Sequence, residues 1–272
     1  MALWPVIFIP PVIWGIKKIY DLLSEEESPP PRPSSPRRPP LPTRGRFTGD
    51  CILVIGRTGS GKSSLINRLK GQDVLPTGVT ASATRWLEGV PVDLGPRTVT
   101  FVDSPGIGEA LTSSEYHDGI KNWFSQNRHR VRCLLLVLQA DSKAHADDKR
   151  LVDALRSVSR KPLIIALNQV DRVKPVREEF AYESWEKERK RTSLKNQHVR
   201  EKINEVDRQF DLPGDSSCIV PFVSEAGFEF NRTGLIQAIR AAVIAHSHKS
   251  IWPLTVGLRT ADNHMGAGMG SS

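Results

Sequence analysis

Two stretches carry residues whose types and spacing suit the handling of a polyphosphate. Gly56-Arg57-Thr58-Gly59-Ser60-Gly61-Lys62-Ser63-Ser64 follows the apolar run CILVI and opens a helical pattern. Glycines at those intervals let successive backbone amides turn inward around phosphate oxygens, and the helix N-terminus adds its dipole. Lys62 would bridge the outer phosphates as the catalytic cation, and the Ser63 hydroxyl would ligate Mg2+. Asp103 ends the run RTVTFV and would hold the same metal, while Gly106 would let the backbone approach the terminal phosphate. A loop that touches only the third phosphate is ordered by a triphosphate and released by a diphosphate, which makes it a switch. Between the two stretches, Thr80 and Thr84 are candidates to complete the metal coordination. Thr84 is preferred, as metal ligand and catalytic residue, because it lies closer to the strand that follows.

A second pair of motifs suits a purine base. Asn168-Gln169-Val170-Asp171 follows the run PLIIAL. A carboxylate at that point can accept both N1–H and the exocyclic amine of guanine, whereas adenine would leave it buried and unpaired. Discrimination of this hydrogen-bonding kind reaches about 10⁴-fold. Ser224-Glu225-Ala226 follows IVPFV, where a loop would close over the base.

The elements that must hold these residues can be read from periodicity. Cys51–Ile55, Val99–Val102, Cys133–Leu138, Leu163–Leu167 and Ile219–Val223 read as buried strands. Lys62–Lys70, Ser114–Gln126, Asp147–Val158 and Gly234–Ala245 read as helices between them. Trp86–Thr100, turning at Asp93-Leu94-Gly95-Pro96, reads as an antiparallel hairpin that supplies one reversed edge strand. Alternation of this kind predicts an α/β class, three layers deep, with a mainly parallel six-stranded sheet. Glu178–Phe210 is charge-rich, with Val199, Ile203, Val206 and Phe210 at helical spacing, and reads as a solvated helix packed through its second half or as a partner-binding surface.

Taken in order, the phosphate loop, Thr84-Arg85, Asp-x-x-Gly, Asn-x-x-Asp and Ser-x-Ala resemble the Ras-like P-loop GTPases. The stretches GKSSLINRLKG, DSPGIGE and NQVDRVKPVRE are most similar to the Era-like group of the bacterial YfjP/YeeP type. The resemblance runs from Cys51 to about Ala245. It implies GTP and GDP as ligands, Mg2+ as cofactor and slow hydrolysis, with Gly56 through Ser64 and Gly106 around the phosphates and Ser63, Thr84 and Asp103 on the metal. It places Asn168, Gln169, Asp171, Ser224 and Glu225 around the base. The chain departs from the family at four places. Gln169 replaces the usual lysine, which lowers affinity rather than specificity, and Glu225 replaces an alanine, so its carboxylate must point away from the base. Gly59 stands where potassium-activated relatives have asparagine. Ile107 stands where Ras has a water-orienting glutamine, and a hydrophobic side chain cannot orient water, so unassisted turnover at or below about 10⁻⁴–10⁻³ s⁻¹ is implied. Glu109 is the alternative group for the water.

The flanks carry a different signal. Residues 1–27 contain the apolar run LWPVIFIPPVIWGI, broken by Pro5, Pro10 and Pro11 and followed by Lys17 and Lys18. It is shorter than the roughly 20 apolar residues of a spanning helix and reads as a membrane-associating segment on the cytoplasmic face, or else as a hydrophobic arm on the domain or a partner. Residues 28–46 are a proline-arginine linker, extended in polyproline II. Residues 47–248 form the nucleotide-binding domain, and 249–272 a tail too short for the RNA-binding domain that follows the GTPase domain in Era. The formal charge is +8, and five of the surplus arginines lie in the linker. Anionic lipid is therefore a better counterpart than nucleic acid. Cys51, Cys133 and Cys218 lie far apart and each starts an apolar run, which fits a reducing compartment and buried thiols. The partners implied are GTP and GDP, a membrane surface and an unidentified effector or activator, with a nucleotide-dependent dimer left open. Two rivals stand beside the switch reading: a nucleotide-gated scaffold with negligible hydrolysis, and a membrane-remodelling GTPase of dynamin or interferon-inducible type, whose helical stalk has no room here.

Overall fold

The computed structural model describes residues 41–45, 47, 49–77, 86–106, 112–142, 145–212, 217–225 and 228–247. The chain divides at Pro39, and the described residues belong to the unit from Pro40 onward. The strands are β1 (Thr43–Arg44), β2 (Cys51–Ile55), β3 (Leu87–Asp93), β4 (Thr98–Asp103), β5 (Val131–Gln139), β6 (Leu163–Asn168), β7 (Ser217–Glu225) and β8 (Phe228–Phe230). The helices are α1 (Lys62–Lys70), α2 (Ser113–Asn127), α3 (Ala146–Val158), α4 (Trp185–Glu188), α5 (Leu194–Phe210) and α6 (Arg232–Ser247). One sheet takes the order β1-β3-β4-β2-β5-β6-β7-β8.

The central strands β4, β2, β5, β6 and β7 run parallel, so their apolar runs are covered on both faces by crossover helices. Period-two alternation divides each strand between two cores. From β2, Cys51, Leu53 and Ile55 face one layer with Tyr116, Ile120 and Phe124 of α2, Leu151 and Leu155 of α3, and Val199, Val206 and Phe210 of α5. Ile52 and Val54 face the other with Leu65, Ile66 and Leu69 of α1 and Leu235 and Ile239 of α6. Fully burying one such side chain is worth about 1.5–3 kcal/mol, so these two layers dominate stability. Cys51 and Cys133 are buried free thiols, as their apolar surroundings implied.

The α/β class with a mainly parallel sheet stands, and two short marginal strands join the expected six. Strand β3 pairs antiparallel with β4 through the Leu94–Arg97 turn, where Gly95 takes φ +86°. Outside it lies β1, paired parallel to β3, so the reversed strand is not outermost; β8 adds an antiparallel pair at the opposite margin. Strands of two and three residues are too short to leave an alternation pattern. The residues assigned to the end of the linker also belong to the packed unit. Leu41 is buried against Gly119 of α2, and Leu87 donates its N–H to the Pro42 carbonyl at 2.9 Å.

Candidate functional site

All the described motif residues meet at the carboxyl ends of β2, β4, β6 and β7, where an open parallel sheet presents its crevice. The turn from β2 into α1 is shaped by Gly61, which caps the helix at φ +93°. A Cβ there would run into the Asn168 side chain, so the loop is pressed against the base motif. Lys62 is 6 % exposed and folds back over this turn. Its Nζ donates to the carbonyls of Gly56 at 2.9 Å and Arg57 at 3.0 Å. The ammonium is buried, which lowers its pKa, and Asp103 and then Asp148 oppose that shift.

Ser63 Oγ donates to Asp103 Oδ2 at 2.8 Å, and Ser64 follows in the same helical turn. The other carboxylate oxygen, Asp103 Oδ1, is buried and has no hydrogen-bond partner. Burial pushes the Asp103 carboxyl up to about 6, against the pull of Lys62 and the Ser63 hydroxyl. A hydroxyl and a carboxylate with one unspent oxygen are a donor set of the kind that Mg2+ accepts. Gly106 approaches Thr58 so closely that a Cβ would strike the Thr58 backbone, and Thr58 Oγ1 is itself buried without a partner.

The base motif is tied to the phosphate loop. Asn168 is fully buried, and its Nδ2 donates to the Ser60 carbonyl at 2.9 Å and to Ser224 Oγ at 3.0 Å. Ser224 N–H returns to Asn168 Oδ1 at 3.2 Å. Gln169 takes φ +62° and opens a 3-10 turn, Val170–Arg172, that carries Asp171. Asp171 Oδ1 is buried with no partner, as a group reserved for a ligand would be. Glu225 is exposed at the end of β7. Thr84, Thr80, Ile107, Glu109 and Ala226 lie outside the described residues.

Three participants escaped sequence reading. Gln139 closes β5 opposite Asn168 and donates through Nε2 to the Gly59 carbonyl at 3.0 Å and to Gln169 Oε1 at 3.4 Å, while Gln169 Nε2 reaches the same carbonyl at 3.5 Å. This amide pair clasps the phosphate loop from the side where a lysine was missing; a lone polar residue ending LLLVLQ was the available signal. Asp148 in the first turn of α3 is fully buried, neither of its oxygens is hydrogen-bonded, and His145 Nδ1 lies 3.9 Å from Oδ2; burial raises its carboxyl to about 6 against the pull of Arg57 and Lys62. Its neighbour Asp147 pairs with Arg57 at 3.6 Å. Lys195 reaches the base motif from α5.

The raised Asp103 carboxyl gives a pH prediction. With a folded value near 6 against an ordinary 3.8, its contribution to stability is present below 3.8 and lost as pH rises through 6. Asp103→Asn escapes that loss. In metal-free, nucleotide-free protein, the stability of the variant relative to wild type should therefore grow by up to about 3 kcal/mol between pH 4 and 7.5. Urea unfolding in a chelator at several pH values reads the difference, and a flat difference would refute the buried charge.

With this geometry established, known proteins offer a comparison. The family model described as 50S ribosome-binding GTPase matches residues 51–169. Among curated proteins, the chain is 29% identical over 126 residues to the uncharacterized protein YfjP of Escherichia coli (strain K12), covering 46% of this chain and 42% of that one. It is 30% identical over 130 residues to the GTPase Era of Crocosphaera subtropica, covering 46% and 39%. The match thus spans about two fifths of the length of these relatives. Among solved structures, Toc33 from Arabidopsis thaliana in complex with Mg2+ and GMPPNP superposes with a TM-score of 0.53 at 18% identity, covering 73% of this chain and 85% of that one. A likeness at that identity speaks for the fold.

Proposed function

We propose that this chain, whose residues 51–169 match the 50S ribosome-binding GTPase family model, is a guanine-nucleotide switch that binds Mg-GTP and Mg-GDP, hydrolyses GTP slowly and works at a membrane surface. The observation that carries the reading is the single crevice in which a buried lysine and a Ser63–Asp103 pair stand at one end. Asp171, with its buried and unpartnered Oδ1, stands at the other, and Asn168 holds both ends to one loop.

In this reading the amides of the turn from Gly56 to Ser64 cradle the phosphates, and Lys62 exchanges its two carbonyl contacts for outer phosphate oxygens. Ser63 and Asp103 hold Mg2+, with Thr84 as the third protein ligand. Magnesium, when bound, neutralises charge that develops on the phosphate oxygens. Gly106 brings its backbone to the terminal phosphate and couples the loop after β4 to the presence of that phosphate. Asp171 reads guanine, Gln169 flanks the base and Ser224 with the Glu225 amide closes over it. Ile107 has no group with which to orient water, so turnover is slow and an activator, a second copy of the chain included, supplies what is missing. The same residue favours the second reading, a scaffold whose nucleotide occupancy alone signals.

Single-turnover GTP hydrolysis with and without anionic vesicles separates the two readings. The full chain should cosediment with vesicles and hydrolyse GTP measurably, and a chain without Met1–Leu23 should stay in the supernatant with its nucleotide binding intact. No hydrolysis under any condition would favour the scaffold, and pelleting of the shortened chain would refute the anchor.

A further inference from the structure

The segment between the two base motifs looks in sequence like a solvated, charge-rich helix, yet it places one buried cation beneath the base site. Lys195 stands in the first turn of α5 and is 2 % exposed. Its Nζ donates to the main-chain carbonyl of Asp171 at 2.6 Å, from 24 residues further along the chain. The contact leaves the Asp171 side chain alone: Oδ1 stays buried and unpartnered. The lysine therefore holds the turn by its backbone and does not use up the carboxylate.

The lysine is itself firmly held. Its own N–H donates to Glu178 Oε2 at 3.2 Å, and its ammonium lies 5.2 Å over the ring of Phe180, which stacks on Phe230 at 4.1 Å. Ser193 caps the helix by accepting from Asn196 N–H at 3.2 Å. Asn196 donates through Nδ2 to the Glu188 carbonyl at 2.9 Å and to Glu188 Oε1 at 2.8 Å. Glu188 Oε2 in turn accepts from Ala181 and Tyr182 N–H, both at 2.9 Å. An ammonium fixed this way is preorganised, so its hydrogen bond costs little further side-chain entropy. Burial lowers its pKa, while the charges of Asp171, Glu178 and Glu179 act to keep it protonated.

We infer that Lys195 is a positioning residue for base recognition: by gripping the Asp171 carbonyl it fixes the turn so that both carboxylate oxygens meet the guanine edge. The inference rests on the reading of Asp171 as the guanine-reading group. It makes Glu178–Phe210 part of the base site, and it gives any partner docking on α5 a direct mechanical route to nucleotide affinity.

Inosine diphosphate lacks the exocyclic amine, so the preference for GDP over IDP measures the two-pronged contact without depending on the phosphates. Calorimetry with the full chain and magnesium should give Lys195→Met a GDP:IDP preference about tenfold below wild type, with IDP affinity little changed. Lys195→Arg, which keeps a cationic donor, should recover most of the preference. A purely structural role would weaken both nucleotides together and leave the ratio at its wild-type value, and that result overturns the inference. If the methionine variant does not fold, Lys195→Gln carries the same test, since a shorter neutral donor should also depress the ratio. Asp171→Asn separates the two levels. Should it leave the GDP preference intact, the base reading itself fails and the inference with it. If it abolishes the preference while the Lys195 variants keep theirs, only the role of Lys195 is lost.

Discussion

Asp171→Asn should turn the proposed preference for guanosine nucleotides into a preference for xanthosine nucleotides, a swing in relative affinity of about 10⁴-fold. The size of the effect follows from the surroundings of the carboxylate. Asp171 Oδ1 is buried and unpartnered, and the cation of Lys195 binds the main-chain carbonyl of this residue. The lysine therefore spends neither carboxylate oxygen, and each oxygen can take one of the two donors on the guanine edge. An asparagine amide would set a donor against a donor, leaving polar groups desolvated without partners, which is costlier than the mere loss of a bond. Xanthine presents a carbonyl at that place and satisfies the amide. Competition between GDP and xanthosine diphosphate for the magnesium-loaded protein measures the swing, and a variant that still prefers GDP would refute the assignment of the base end.

How much of this was readable beforehand depended on whether a residue acts through its neighbours in sequence or across the fold. Cys51–Ile55 and Lys62–Lys70 have the limits that their apolar runs gave them, because a buried parallel strand and an amphipathic helix write their periods into contiguous residues. The phosphate loop, Asp103 and the Asn168–Asp171 turn were legible for the same reason, each being a short motif at the end of such a strand. Gln139 was half legible, as a polar residue closing an apolar strand, but its target at Gly59 lies 80 residues away. Lys195 was not legible at all: one lysine in KERKRTSLKNQ has nothing to distinguish it until the helix is docked. Asp148 resembles any acid in the first turn of a helix, where a favourable dipole is the ordinary explanation. Only its burial shows that it faces Lys62 and Arg57 rather than water.

Lys62→Met should remove the stabilisation that the protein gains from Mg-GTP, with affinity falling by at least about 100-fold, and should do so more for GTP than for GDP. In the nucleotide-free protein the ammonium is buried and bonded to the carbonyls of Gly56 and Arg57, with Asp103 and Asp148 as its counter-charges. Those carbonyls form part of the very turn that would surround the phosphates, so the side chain is stored in position rather than recruited from solvent. A charge-assisted contact to an outer phosphate in a water-poor crevice is worth several kcal/mol, and truncating one partner leaves the other buried and unpaired. Methionine keeps the volume of the stem but offers no donor. Because the terminal phosphate is present only in the triphosphate, a lysine that bridges the outer phosphates must discriminate between the two nucleotides when it is removed. The melting temperature with and without each Mg-nucleotide reads this, each shift being referred to the ligand-free melting point of the same variant. An equal loss for GTP and GDP would place the ammonium on the inner phosphates instead. Retention of the wild-type shift with both would mean that Lys62 makes no contact with the phosphates.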